Sequence, residues 1–229
     1  MKFPIFELNA FLRNFDNYKG IFSVWGNYGV GKTTFVLQTV INTIKDKKKV
    51  VYIYTKPNLP SEKIFNLSKD SEGILDRIII IKPIDFEDLN NIVFNLEFLI
   101  LNDIDNKNDQ LKLIVIDSIT ELYRLELNTD KKEKNYNLNY QLNQILANLM
   151  YLNETYNIEI LVVNEASRKK FDDQLIEVQS GGKVIEFWVN YNLKITKTRK
   201  LNERKFILTK YPENEIIEFT SILREYGFD

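Results

Sequence analysis

Gly26-Asn27-Tyr28-Gly29-Val30-Gly31-Lys32-Thr33, with Thr34 after it, is the stretch whose reading decides the fold. It fits G-x-x-x-x-G-K-[ST], a loop built to wrap a phosphate. Glycines let the backbone approach an anion with no Cβ in the way. Successive N–H groups then converge as a nest, and a helix starting here adds the positive end of its dipole. In this pattern Lys32 reaches the outer phosphates and the Thr33 hydroxyl holds Mg²⁺, so ATP with Mg²⁺ is the expected ligand. The flanks agree. Gly20-Ile21-Phe22-Ser23-Val24-Trp25 reads as a buried strand, and Phe35-Val36-Leu37-Gln38-Thr39-Val40-Ile41 as a packed helix.

A chain of 229 residues can bury the core of one α/β domain. Its 44% hydrophobic and 28% charged residues argue against disorder. A formal net charge of −1 supplies no global attraction for nucleic acid, so any such binding needs a local patch. Cysteine and histidine are both absent. That excludes disulfides, Cys/His zinc sites, thiol nucleophiles and imidazole bases, and leaves proton transfer to Asp, Glu, Lys or Tyr. No apolar run is long enough to span a membrane, and Met1 to Phe11 is not a signal peptide, so the cytoplasm is the expected compartment.

The N-terminal 1–19 segment is short, and its Phe3, Ile5, Phe6, Leu8, Phe11, Leu12 and Phe15 suit a cover over the core edge or a docking face on another subunit. Strand-like and helix-like segments then alternate, the signature of a largely parallel sheet. Strands are expected at Lys49–Tyr54, Arg77–Ile81 (buried), Leu113–Asp117 and Ile158–Asn164. Helices are expected at Ser61–Lys69 with Ser61 as cap, at Phe86–Leu101, and at Tyr136–Tyr156, with Asn102–Gln110 a polar loop. After Gly181-Gly182 come a short helix at Lys183–Val189 and antiparallel strands at Tyr191–Lys197, Lys205–Lys210 and Ile216–Thr220. The expectation is a single domain over 1–229: an α/β phosphate-loop core with a mostly parallel sheet and antiparallel strands at the C-terminal end.

Asp117 closes an apolar strand, and parallel strands carry such residues to the ligand edge of a sheet. It is the candidate to orient Mg²⁺ through water, with Ser118 beside it; the alternative is an Asp that only caps the following turn.

Several further stretches together resemble one family. Leu113-Ile114-Val115-Ile116-Asp117-Ser118-Ile119-Thr120-Glu121-Leu122-Tyr123-Arg124 looks like the second nucleotide motif of the RecA/RadA recombinases. Ile160 to Asn164 is similar to their next strand, and Gly181 to Glu186 to their Gly-Gly turn. Pro212-Glu213 and Tyr226-Gly227-Phe228 are similar to their C-terminal end. The resemblance runs from about residue 18 onward and leaves no room for the helical DNA-binding domain that precedes the core in full recombinases. It implies a RecA-like ATPase fold of the core-only, archaeal RadB-like kind.

The sequence departs from that family in two places. The family keeps a catalytic Glu just beyond its second strand, where this chain has Lys56 in Tyr52-Ile53-Tyr54-Thr55-Lys56-Pro57. A protonated lysine cannot take a proton from water, and losing a general base costs ~10²–10⁴-fold in rate. The family usually has Asn-Gln, a Gln implied to sense the γ-phosphate, where this chain has Asn164-Glu165. Lys56 and Glu165 are expected to pair beside the γ-phosphate. The competing readings are a solvated Lys56 with a surface Glu165, and Glu165 as a replacement base. Lys63 lies where the family often has an Arg against the adenine.

By position, the family's two DNA-facing loops correspond to Leu125–Asn137, with Lys131, Lys132, Lys134 and Tyr136, and Ala166–Ser180, with Arg168, Lys169, Lys170 and Phe171. Arg124 stands beside the first. Basic residues with an interleaved aromatic suit single-stranded DNA, and Asp130, Glu133, Asp172, Asp173 and Glu177 blunt the field, so weak, salt-sensitive binding is expected. Lys194, Lys197, Arg199, Lys200, Arg204 and Lys205 read instead as an exposed strand face. The resemblance implies an ATP-binding recombinase paralogue that assists a main recombinase, or another paralogue, in homologous recombination and DNA repair, with weak or absent ATPase activity. The alternative is a KaiC-like regulatory ATP-binding protein that acts on a protein partner without DNA.

Overall fold

The computed structural model describes residues 1–13, 19–68, 73, 75–103, 110–128, 130–171, 173–210, 215–225 and 227–229. Phe15, Lys69, most of the expected 102–110 loop, Asp172, Pro212, Glu213, Tyr226 and the Phe171 side chain lie outside the described residues. In chain order the first elements are α1 (Phe6–Leu12), β1 (Ile21–Gly26), α2 (Lys32–Lys45), β2 (Lys49–Tyr54), α3 (Ser61–Ser68), β3 (Ile78–Ile81), α4 (Phe86–Asp103) and β4 (Leu111–Asp117). Then follow α5 (Glu121–Glu126), α6 (Lys132–Tyr156), β5 (Glu159–Phe171), β6 (Gln174–Gln179), α7 (Gly182–Trp188), β7 (Val189–Lys197), β8 (Glu203–Lys210), β9 (Glu215–Arg224) and β10 (Gly227–Phe228).

The strands join in the order β10-β9-β8-β7-β1-β5-β4-β2-β3, and β6 pairs with β5. From β3 through β7 the pairs are parallel, and from β7 to β10 they are antiparallel. This is the expected α/β architecture. A parallel sheet is covered on both faces, so its strands are apolar throughout rather than alternating with polar residues. The parity of each strand then sorts its side chains between two cores. Leu113, Val115, Leu161 and Val163 pack on the face of α1, α2 and β10, whereas Ile114, Ile116, Ile160 and Val162 pack on the face of α4, α6 and α7. Phe3, Ile5, Leu8 and Leu12 are buried in the first core, with the Phe3 and Phe22 ring centroids 4.7 Å apart, so the N-terminal segment covers its own core.

Four local expectations change. The Ile78–Ile81 strand is a half-exposed edge strand rather than a buried one, since β3 pairs with β2 alone among the described residues and Ile80 is 41% exposed. Ser61 is the first residue of α3 rather than its cap; the Pro60 carbonyl accepts from Ile64 N–H and takes the capping position. Helix α6 begins at Lys132, with Glu133 in its first turn suiting the positive end of the dipole, so much of the expected first DNA loop is helical. The expected second loop is a hairpin: β5 runs on to Phe171 and pairs with β6 from Ala166↔Gln179 to Phe171↔Gln174.

Parallel pairing brings several strand ends to one edge of the sheet. Gly26 on β1 is opposite Glu165 on β5, and Tyr54 on β2 is opposite Asp117 on β4. The candidate site lies on that edge.

Candidate functional site

The loop between β1 and α2 has a backbone that only glycine fits at two points. Gly26 has φ 147°, and a Cβ there would lie 2.2 Å from the Ile195 carbonyl oxygen. Gly31 has φ 105°, and a Cβ there would come within 2.8 Å of the Phe228 ring. Helix α2 starts directly after Gly31, so its free N–H groups face the loop. Val30 is buried beneath the loop, while Asn27, Tyr28 and Gly29 face solvent.

Lys32 is buried and folded back over this loop. Its Nζ donates to the Gly26 carbonyl at 2.8 Å, to the Asn27 carbonyl at 3.1 Å and to Glu165 Oε2 at 2.7 Å. All three N–H groups of the ammonium are therefore engaged. Burial holds its pKa below that of an ordinary lysine, and Glu165 offsets this only in part.

Asp117 is fully buried at the end of β4. Its Oδ2 accepts from Thr33 Oγ1 at 2.8 Å and from the Tyr52 hydroxyl at 3.1 Å. Its Oδ1 lies 3.0 Å from Lys56 Nζ. The same ammonium lies 3.4 Å from Glu165 Oε1. Lys56 and Glu165 thus meet as expected from their positions, and one ammonium bridges two carboxylates. Burial pulls the Lys56 pKa down, but Asp117 and Glu165 outweigh it and hold it above the ordinary lysine value. Burial, and then Asp117, raise the Tyr52 phenol well above its usual range.

Backbone contacts fix these groups in place. Thr55 N–H donates to the Asp117 carbonyl at 2.9 Å, and Thr55 Oγ1 to the Ser118 carbonyl at 2.8 Å. Ser118 N–H returns a bond to Thr55 Oγ1 at 2.8 Å. On the next strand Asn164 accepts from Thr120 Oγ1 at 2.5 Å and donates to the Ser180 carbonyl at 2.8 Å. Glu165 is thereby anchored from the residue before it.

The residues present fit a divalent metal only in part. Thr33 Oγ1 retains lone pairs for one, and the buried Asp117 Oδ1 accepts no hydrogen bond among the described residues, but Oδ2 already accepts two and Oδ1 faces the Lys56 ammonium at 3.0 Å. No group of three or more acidic side chains arranged to hold a metal occurs among the described residues.

Lys63 reaches the same helix, donating from Nζ to Thr34 Oγ1 at 2.9 Å. Asn27 Nδ2 donates to Glu177 Oε1 at 2.6 Å, and Glu177 also pairs with Lys194 at 3.1 Å. Lys194 lies 4.8 Å over the Trp25 ring. These contacts tie the loop to the β5–β6 hairpin. Tyr52, Thr55 and Glu177 were not foreseen as part of the site. For Tyr52 a signal existed: period-2 alternation puts Tyr52 and Tyr54 on the α2 face, where Asp117 also points.

The candidate DNA residues are separate from this cluster. Arg124, Lys131, Lys132 and Lys134 are exposed on α5 and around the start of α6, with Lys134 3.7 Å from Glu126. Arg168, Lys169 and Lys170 are exposed along β5, and Lys170 pairs with Asp173 at 2.7 Å. Tyr123 is a buried core residue whose hydroxyl donates to Asn139 at 3.1 Å. On the β7–β8 face Lys200 pairs with Glu203 at 3.1 Å and Lys205 with Glu218 at 2.8 Å, the balanced strand face expected there.

A glycine loop between a central parallel strand and a helix, facing an acidic strand end two strands away, defines the P-loop class of nucleotide-binding folds. The family model described as Rad51 matches residues 7–220, and the chain belongs to that family. It is 34% identical to a DNA repair and recombination protein RadB of Methanococcus maripaludis, over 84% of this chain and 82% of that one. A protein of the same name from Methanocaldococcus jannaschii is 33% identical over 84% of this chain and 85% of that one. The protein of that name from Thermococcus sibiricus is 29% identical over 64% and 60%. No helix among the described residues is long and apolar enough to cross a membrane.

Proposed function

We propose that this chain is an ATP-binding recombinase paralogue that assists a main recombinase in homologous recombination and DNA repair, and that it holds nucleotide far more than it hydrolyses it. Family membership and the names of its relatives support the repair role. The observation that carries holding over hydrolysis is the Lys56 ammonium lodged between Asp117 and Glu165.

ATP phosphates would enter the loop and meet its backbone N–H groups and the start of α2. Lys32 would exchange Glu165 Oε2 for a phosphate oxygen, a switch of one acceptor for another. With Mg²⁺ bound, Thr33 would hold the metal and Asp117 would orient its waters, adding charge neutralisation at the phosphates. Hydrolysis also needs a group to take the proton of the attacking water. Lys56 as an ammonium has three donors and no acceptor. Glu165 would have to give up its contacts to Lys32 or Lys56 before it could act as a base. The absent base accounts for ~10²–10⁴-fold in rate.

A nucleotide that stays bound still does work, because a ligand that prefers one state stabilises it in proportion to its affinity. Nucleotide would thus favour the arrangement of loop and β5–β6 hairpin that a partner recognises, through Asn27 and Glu177. Weak binding of single-stranded DNA by Arg168, Lys169 and Lys170 fits the same picture.

The second reading, a KaiC-like regulator acting on a protein without DNA, is favoured by one observation: Lys134 and Lys170 already have acidic partners. Two measurements separate the readings. One is capture of the host's main recombinase by the immobilised chain, with and without ATP. The other is single-stranded DNA binding at low and high salt. ATP-dependent capture with salt-sensitive DNA binding supports the first reading, and loss of both beside a working positive control supports the second.

A further inference from the structure

We infer that Lys56 is the built-in cation of this site, so that ATP is held with little dependence on Mg²⁺. This rests on the nucleotide-binding reading above and specifies how the phosphate charge is met.

The position of Lys56 is determined rather than incidental. It follows Thr55, whose N–H and hydroxyl are tied to the Asp117 and Ser118 carbonyls and whose Oγ1 accepts from Ser118 N–H. The ammonium is thus delivered from a clamped backbone to a point 3.0 Å from Asp117 Oδ1 and 3.4 Å from Glu165 Oε1. Joining two carboxylates that would otherwise repel is a cation's task. Both are charge contacts, and the buried Asp117 Oδ1 accepts no hydrogen bond among the described residues, so the Lys56 charge is what meets it.

The two lysines differ in spare capacity. Lys32 has all three N–H groups engaged by Gly26, Asn27 and Glu165. Lys56 uses its ammonium on two carboxylates and, among the described residues, has no third acceptor. Its side chain is 23% exposed, so the ammonium is within reach of an incoming group. An incoming phosphate oxygen supplies the missing acceptor. Nucleotide binding also draws Lys32 away from Glu165. Lys56 is then the charge that still shields the phosphate from both carboxylates. A metal oriented by Asp117 would have to share that carboxylate with an ammonium of like charge.

Affinity for ATP tests this by titration calorimetry, in EDTA and in excess Mg²⁺, on the wild-type chain, Lys56→Met, Lys56→Arg and Lys32→Ala, with thermal melts to verify folding. The wild type is expected to bind similarly in both conditions. Lys56→Met should lose roughly ten- to a hundredfold in EDTA, the scale of a charge-assisted contact, and recover with Mg²⁺. Lys56→Arg keeps the charge and should stay close to wild type. Wild-type binding that collapses in EDTA while remaining firm in Mg²⁺ overturns the cation assignment and leaves the nucleotide reading standing. So does a folded Lys56→Met variant that is unaffected in EDTA. Binding of ATP in neither condition, or binding indifferent to Lys32→Ala, overturns both. Should Lys56→Met fail to fold, the wild-type comparison between EDTA and Mg²⁺ still decides.

Discussion

Lys56 Nζ lies 3.0 Å from Asp117 Oδ1, an ion pair across the ends of two adjacent parallel strands in which the carboxylate is fully buried. The neighbouring Glu165 shares the same ammonium at 3.4 Å. Removing one partner of such a pair costs more than the pair itself is worth, because the remaining charge stays in a poorly solvated place. Lys56→Ala should therefore lower stability by roughly 1–3 kcal/mol, the low end reflecting its partial exposure. In a double-mutant cycle with Glu165→Gln the coupling should be about 0.5–3 kcal/mol, read from denaturant melts. Strictly additive effects would mean that the two side chains do not interact in solution.

The two lysines of the site should titrate on opposite sides of the ordinary value of 10.5. Lys56, raised, stabilises the fold fully below 10.5, and that contribution is lost as pH climbs through its higher folded value. Lys32, lowered chiefly by burial, has the opposite sign: its charge is a cost at lower pH that is relieved as pH rises toward 10.5. Lysine-labelled NMR followed into alkali should show one curve displaced each way, assigned by Lys56→Arg and Lys32→Ala. Coincident titration of both would contradict the network.

Gly31 and Phe228 lock the loop to the end of the chain. The Phe228 ring is buried, 5.2 Å from the Phe206 ring centroid, and Gln38 bonds its backbone N–H and carbonyl. Phe228→Ala should cost ~3–5 kcal/mol. Gly31→Ala puts a methyl against that ring at φ 105°, and should cost about 1–3 kcal/mol and weaken ATP binding as the loop shifts. Thermal melts and ATP titrations measure both effects. A Gly31→Ala chain with wild-type melting and affinity would refute the close fit.

The exposed lysines of the β5–β6 hairpin should matter to DNA and not to folding. Lys169→Ala with Lys170→Ala should leave stability within about 0.5 kcal/mol. The slope of log affinity against log salt for single-stranded DNA should fall by roughly 0.7 per lysine. An unchanged slope would remove the hairpin from any DNA surface.

Features carried by local pattern were legible in the sequence. The glycine loop, the strand before it, the helix after it and the carboxylate closing Leu113–Asp117 each declare themselves within a few residues. Alternation along β2 gives the face on which Tyr52 lies, but its bond to Asp117 depends also on how β2 and β4 are registered. The edge position of β3 was hidden because four isoleucines read alike at the centre and the rim of a sheet. The β5–β6 hairpin was hidden because Arg168-Lys169-Lys170 has no apolar alternation; its partner strand supplies the pairing. The meeting of Lys56 and Glu165 was legible only through resemblance, since they lie far apart in the chain and only the strand order brings their ends together.

Steady-state ATP hydrolysis, measured beside an ATP-binding titration on the same purified chain and on Lys32→Ala, tests most directly whether this protein keeps its nucleotide rather than consuming it. The predicted result is firm ATP binding by the wild type, lost in Lys32→Ala, with phosphate release from both at the same background level. Brisk release by the wild type that Lys32→Ala abolishes would contradict the account.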